Sequence, residues 1–269
     1  ASLGVNGVWL HVVLRDLAPS KDFPEFGKGH ETRLANLRQL VQRARKHGVK
    51  VYLYMNEPRA LPTAYFDNRP DLKGVTHGEL STMCSSDPRT RKWLYDSLKH
   101  VFTEVPGLGG VFTITASENL SNCASHGIHK NCPRCQSRTA ADIIGEVNAT
   151  IEAAVHAAAP DAHVICWDWG WNRHQDAADH IALMPDNVAL MSVSEWALPI
   201  ERGGIKNTVG EYSISAVGPG PRATRHWQLA KERGLKAVAK VQINNTWELS
   251  AVPFLPVLNL VAQHADQLA

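Results

Sequence analysis

Six short apolar, β-branched runs recur along this 269-residue chain, and amphipathic stretches separate them. The runs at 8–14, 49–55, 111–115, 163–167, 188–193 and 237–243 read as strands. The segments 30–47, 86–104, 140–159, 172–184, 221–233 and 253–267 carry apolar residues at helical spacing. Ser85-Ser86-Asp87-Pro88 marks the start of the second helix, because Ser and Asp cap helices and Pro suits the first turn. A long irregular excursion occupies 56–86. A Gly-rich one occupies 201–220, with an extended piece at 212–216. No linker or low-complexity segment interrupts the series, so residues 1–269 read as a single (β/α)-barrel catalytic-type domain.

This alternation constrains the fold more than any other feature. A strand joined through a helix to the next strand of the same sheet pairs in parallel, with a right-handed crossover. Two architectures satisfy that rule, an open doubly wound sheet and a (β/α)8 TIM-type barrel. No Gly-rich phosphate loop follows any strand, which removes the usual mark of the first. Polar residues close every strand rather than one crevice, as in the barrel. The opening ASLGVNGVWLHVVL reads as the end of a helix, a cap at Gly4 and then a strand. The far end reads as a helix that stops where a strand is due. The expectation is therefore an incomplete barrel cut from a longer protein. Its runs are barrel strands two to seven, with the first and last strands outside.

The strand ends supply the candidate site. They carry His11 and Arg15; Asn56, Glu57 and Arg59; Ser117, Glu118 and Asn119; Asp168, Trp169 and Trp171; Glu195 and Trp196; and Asn244, Asn245, Trp247 and Glu248. Carboxylates and amides hydrogen-bond hydroxyls in pairs, and an indole face covers the C–H side of a pyranose. A carbohydrate substrate fits this set. Each element also has a plainer reading: a tryptophan packs in cores, a lone glutamate ends a strand in solvent, and Glu248 starts the next helix as a first-turn acid. Trp167, Trp169 and Trp171 alternate along one side, with Trp167 toward the core and the other two nearer the rim. The net charge of +2 and 20% charged residues call for neither nucleic acid nor a membrane surface. No apolar run reaches the roughly 20 residues of a membrane span.

The strand ends GVWLH, YLYMNEPR, GVFTITASEN, WDWGW, MSVSEW and KVQINNTWELS resemble those of bacterial relatives of barrel glycoside hydrolases. Nearest are the hexosaminidase-like families 20 and 123. That resemblance implies a TIM barrel with an adjacent Asp-Glu pair after its fourth strand. The Glu is the acid, and the Asp orients the substrate's own acetamido group as nucleophile. Glu118 matches the acid, but Ser117 stands where the Asp would be. A scheme with two enzyme carboxylates is the other route. It pairs Glu118 as general acid/base with Glu248, or with Glu195 in reserve. A non-catalytic carbohydrate-binding barrel and a metal-dependent hydrolase are the alternative classes.

Five cysteines complete the reading. Cys166 lies in an apolar run and reads as a small core residue. Cys123, Cys132 and Cys135 share one loop, the last two as C-P-R-C, the commonest hook for tetrahedral zinc. Cys84 in STMCSSDP is the expected fourth ligand of a structural zinc, with His126 and His129 as local alternatives. The plainer reading is reduced thiols or one disulfide. An odd count with a C-x-x-C pair suits a reducing compartment such as the cytoplasm. No organic cofactor is called for.

Overall fold

Apolar spacing and strand-end hydrogen bonds decide where each element of this mixed α/β chain begins and stops. The computed structural model describes residues 4–116, 119–171, 177–243 and 255–269. The chain divides into two compact units after Ala189, a point that the sequence marks with no linker.

The first unit runs β1 (Gly7–His11), α1 (His30–Arg45), β2 (Lys50–Met55), β3 (Leu61–Pro62), β4 (Lys73–His77), β5 (Leu80–Met83), α2 (Pro88–Glu104), β6 (Gly110–Ile114), α3 (Ala140–His156), β7 (His163–Trp167) and α4 (Ala177–Ala182). Strands β1, β2, β6 and β7 lie side by side in that order, each pair parallel. In β2, Val51, Leu53 and Met55 are buried on one face, while Tyr52 and Tyr54 are half-buried on the other. That is the period-two pattern of a pleated strand. Every residue of β6 is buried. At Gly110, with φ 144°, a Cβ would fall 1.9 Å from the His163 carbonyl oxygen, so only glycine lets β6 approach β7 there.

The helices start where their caps dictate. The Asp87 side chain accepts the Arg89 N–H at the head of α2. Thr139 and Asp142 form a reciprocal capping box at the head of α3. Strand β1 ends at His11, short of the expected residue 14. The Leu14 N–H has left the ladder for Glu57 Oε1 at 2.7 Å, and residues 14–16 form a 3-10 turn. The excursion after β2 is not irregular. It holds a three-stranded antiparallel sheet in the order β3-β5-β4, whose strands are two to five residues long and interrupted by a register shift. Runs that short carry no readable periodicity.

The division falls inside β8 (Ala189–Val193), whose residues from Leu190 onward belong to the second unit. That unit continues with β9 (Pro199–Arg202), β10 (Ile205–Thr208), α5 (Pro221–Glu232), β11 (Lys236–Lys240) and α6 (Leu258–Leu268). β8 neighbours β11, and the Ser194 N–H reaches the Lys240 carbonyl at 2.9 Å. The Gly-rich excursion holds an antiparallel hairpin, β9 to β10, instead of an extended piece at 212–216. Gly203 and Gly204 both take positive φ in its turn, as a two-residue hairpin requires. Strand β11 stops at Lys240 rather than 243, and the Gln242 N–H turns to Glu195 Oε1 at 3.3 Å. Among the described residues no helix is long and apolar enough to cross a membrane.

Candidate functional site

Register fixes the edge on which the strand ends of the first unit meet. His11 pairs with Tyr54, Met55 with Thr113, and Ile114 with Trp167. The residues that follow each of these therefore emerge along one carboxyl edge, where parallel α/β sheets bind ligands. Asn56, Glu57 and Arg59 follow β2, Asn119 follows β6, and Asp168, Trp169 and Trp171 follow β7. The Leu120 carbonyl accepts the Ala60 N–H at 2.9 Å, so the loop after β6 is tied to the segment leaving β2.

These side chains differ in what they are free to do. His11 Nε2 and Arg59 Nη1 lie 3.1 Å apart on the exposed side, and Arg15 reaches the Ala60 carbonyl. Glu57 is buried. Its Oε1 accepts the Leu14 N–H, and its Oε2 accepts the Arg59 N–H at 2.8 Å. Burial pushes its carboxyl pKa up, against those two hydrogen bonds and the nearby Arg15 and Arg59. Glu57 thus braces the ends of β1 and β2 and is a poor candidate for meeting a hydroxyl. Trp171 is also unlike the sequence reading. It is fully buried, stacks on His180 and donates Nε1–H to Thr115 Oγ1 at 3.1 Å, which makes it core. Asn56 and Asp168 are buried, and Trp169 is half-buried.

Sequence reasoning missed an aromatic row on one face of the sheet. Trp9, Tyr54, Phe112 and Trp167 follow one another at centroid spacings of 4.8, 5.2 and 5.5 Å, and Trp169 continues the row at 6.1 Å. The alternation of Tyr52 and Tyr54 with Val51, Leu53 and Met55 was the available signal.

In the second unit Glu195 is fully buried. Its Oε1 accepts the Gln242 N–H and lies 3.6 Å from His264 Nδ1, and His264 Nε2 is 2.6 Å from Ser194 Oγ. Burial lowers the His264 pKa and so favours the neutral ring. The Arg222 guanidinium sits 3.7 Å above the ring of Trp196 and covers one of its faces. Ser194, His264 and Arg222 gave no sequence signal. Ser117, Glu118, Asn244, Asn245, Trp247 and Glu248 lie outside the described residues.

The cysteines form a second assembly in the first unit. Cys84 directly follows β5, with its N–H on the Leu72 carbonyl at 2.9 Å. Cys123 lies in the loop after β6. In the C-P-R-C turn the Cys132 carbonyl accepts the N–H groups of Cys135 and Gln136 at 3.0 and 2.9 Å. The four sulfurs all lie within 4.8 Å of one another, fully buried, and none is in a disulfide. Neither His126 nor His129 belongs to that group. His126 stacks edge-on against His77 instead. Cys166 stands apart in β7. It donates to Asn148 Oδ1 at 3.3 Å, and burial pushes its thiol up to about 12.

No protein-family model matches the chain, and no curated protein sequence matches it. Solved structures with a loose likeness include three glycosidases. The GH20 β-N-acetylhexosaminidase of Streptomyces coelicolor A3(2) has 12% identity and a TM-score of 0.47 over 90% of this chain and 43% of that one. The chitobiase of Flavobacterium johnsoniae has 14% identity and a TM-score of 0.48 over 96% and 38%. The family 1 β-glucosidase of Thermotoga maritima has 10% identity and a TM-score of 0.45 over 90% and 63%. The chain spans less than two thirds of each of these proteins. At such identities and scores the likeness carries no weight for the chemistry.

Proposed function

We propose that the protein acts on a carbohydrate as a hydrolase of O-glycosyl bonds, on a (β/α)8-type barrel to which the parallel strands belong. The observation that supports this reading is the shared carboxyl edge. The register brings the ends of β1, β2, β6 and β7 to it, so that the exposed imidazole of His11 and the half-buried Arg59, Asn119 and Trp169 emerge along it, with Asn56 and Asp168 buried behind them. Such a mixture suits hydroxyls and pyranose faces better than phosphates or a hydride-transferring cofactor. Glu118 falls between Ala116 and Asn119 in the segment that leaves this edge, and the proposal gives it the acid's role. It protonates the glycosidic oxygen as the C–O bond breaks, and in a retaining scheme its ionised form then activates the water that hydrolyses the glycosyl-enzyme.

The second carboxylate attacks the anomeric carbon if it stands about 5 Å from the first. It activates water directly if about 6.5–9.5 Å away. Glu195 is closed in against Gln242 and His264, so the reading rests on Glu248 first. The test is turnover of a panel of aryl glycosides by the full-length protein and by Glu118→Gln. The variant is expected to lose about 10²–10⁴ in rate on poorly activated leaving groups. Full activity of Glu118→Gln would overturn its role. Calorimetric sugar binding by the wild type without any turnover would overturn hydrolysis in favour of a binding-only barrel.

A further inference from the structure

We propose that Cys84, Cys123, Cys132 and Cys135 are the four ligands of one closed, structural zinc ion, a site that stands independently of the glycosidase reading. Geometry carries the proposal. Zinc bound tetrahedrally by four thiolates at about 2.3 Å places neighbouring sulfurs about 3.8 Å apart. Cys84 Sγ lies 3.6 Å from Cys132 Sγ and 3.6 Å from Cys135 Sγ, and no pair of the four exceeds 4.8 Å. A disulfide brings two sulfurs to about 2.05 Å and leaves the other two as spectators, whereas here four gather around one point.

The donor set narrows the metal. Four soft thiolates in a tetrahedron select zinc or a single iron and reject calcium and magnesium, which demand oxygen. An iron–sulfur cluster puts its own irons and sulfides between the thiolates and needs them farther apart than this.

The surroundings fit an anionic complex. Four thiolates and one Zn²⁺ leave a net charge of −2, which buried surroundings must offset. Ser86 Oγ is 3.2 Å from Cys135 Sγ and accepts from Arg138 Nη1 at 2.6 Å, so a guanidinium stands one hydroxyl away. Thr82 Oγ1 lies 3.6 Å from Cys123 Sγ. Partners of this kind hold ligands in place around structural metals. Space is used as tightly: a Cβ at Gly74 would fall 2.5 Å from Cys123 Sγ. All four ligands are buried with no open position, which excludes a catalytic role for the ion. Its work is to join the end of β5 to the loop after β6, across 51 residues of sequence, beside the carboxyl edge.

The test is metal analysis of the full-length protein purified without added metal. About one equivalent of zinc is expected, released when a mercurial titrates the thiols and read with a chromogenic chelator. Replacement by Co²⁺ should give the intense charge-transfer and visible bands of a tetrahedral thiolate complex. Cys166→Ala should keep the metal, and Cys135→Ser should lose or weaken it. Should Cys135→Ser fail to fold, the wild-type measurements still decide. Less than about a tenth of an equivalent of zinc, with five thiols titrating freely, would overturn the site. Three free thiols with one disulfide would do the same, and stoichiometric iron with visible absorption would overturn the choice of zinc.

Discussion

The first unit holds two regions built on opposite principles. Beneath lies the parallel sheet with α2 and α3, where Val51, Leu53, Leu98, Val111, Ile143, Ile144 and Ile151 are all sealed from solvent. Above its carboxyl edge lies a layer of loops and the small antiparallel sheet β3-β5-β4, held by cysteines, hydroxyls and ion pairs. Ion pairs tie this layer to the helices below: Arg89 at the head of α2 bridges Asp71 and Asp87, and Arg138 of the cysteine loop reaches Glu146 on α3. The lower region is stabilised by non-directional apolar burial, at about 25 cal/mol per Å², and tolerates some change of shape. The upper one has strands too short to stand alone; it buries Phe66, Leu72, Val75 and Met83 and adds directional contacts to them. A rigid base under a polar, individually pinned layer lets binding residues change without unfolding the support.

The comparison breaks first if the base is not the main source of stability. Ile143 is fully buried on α3. Ile143→Ala should lose about 2–5 kcal/mol, the loss of a buried side chain plus the cavity left behind. Urea unfolding followed by far-UV circular dichroism measures it. Arg89→Ala, at a half-exposed ion pair that ties the upper layer to the head of α2, should lose no more than about 1 kcal/mol. Equal losses for the two variants would abolish the distinction.

A smaller effect sharpens the boundary between the regions. Thr139 is where the cysteine loop becomes α3. Its hydroxyl accepts the Asp142 N–H at 3.0 Å, and Asp142 Oδ2 accepts the Thr139 N–H at 2.9 Å. Thr139→Ala should lose about 1 kcal/mol, with faster amide exchange confined to the first turn of α3. Exchange that also rises through residues 123–135 would mean that loop and helix open as one unit.

The base was legible in the sequence, and the layer above it was not. The strand at 163–167 coincides with β7 residue for residue, and α3 begins at Ala140 as its spacing requires. Apolar periodicity reports burial on a repeating surface, and these elements have one. The three-stranded sheet between Leu61 and Met83 escaped because its strands are too short for a period to develop. Its shape is set by contacts distant in sequence, such as Cys84 N–H on Leu72 and Thr63 N–H on Glu79. Glu57 and Trp171 were legible as residues near the edge but not in their roles. A carboxylate that braces two backbones and an indole that fills a core look the same in sequence as ones that meet a ligand. The hairpin at Gly203-Gly204 did carry its turn signal, a Gly pair between extended runs.

The weakest expected effect is a pH dependence that marks how a loop is pinned to the layer. Glu25, after β1, holds Arg69 and the Tyr65 hydroxyl, with Arg69 Nη2 3.4 Å from Glu25 Oε2. The Arg69 guanidinium lies over the rings of Phe23 and Tyr65. Burial pushes the Glu25 carboxyl up, but the hydrogen bonds from Arg69 and Tyr65 outweigh it and lower the pKa from 4.5 to about 2. A carboxylate whose folded pKa is depressed adds stability that is fully present above its unfolded value. That contribution fades as pH falls through the interval between the two. The difference in unfolding free energy between wild type and Glu25→Gln should therefore be constant above about pH 5.5 and shrink toward about pH 2. Both partners are about a third exposed, so solvent screening holds the plateau to about 0.2–1 kcal/mol, less in 1 M salt. Urea titrations at half-unit pH steps give the curve. A difference that grows on acidification would mean that folding raises the Glu25 pKa instead of lowering it, and that Phe23 and Phe26, stacked on each other and edge-on to Trp93, with Phe26 also stacked on Tyr65, hold this loop without it.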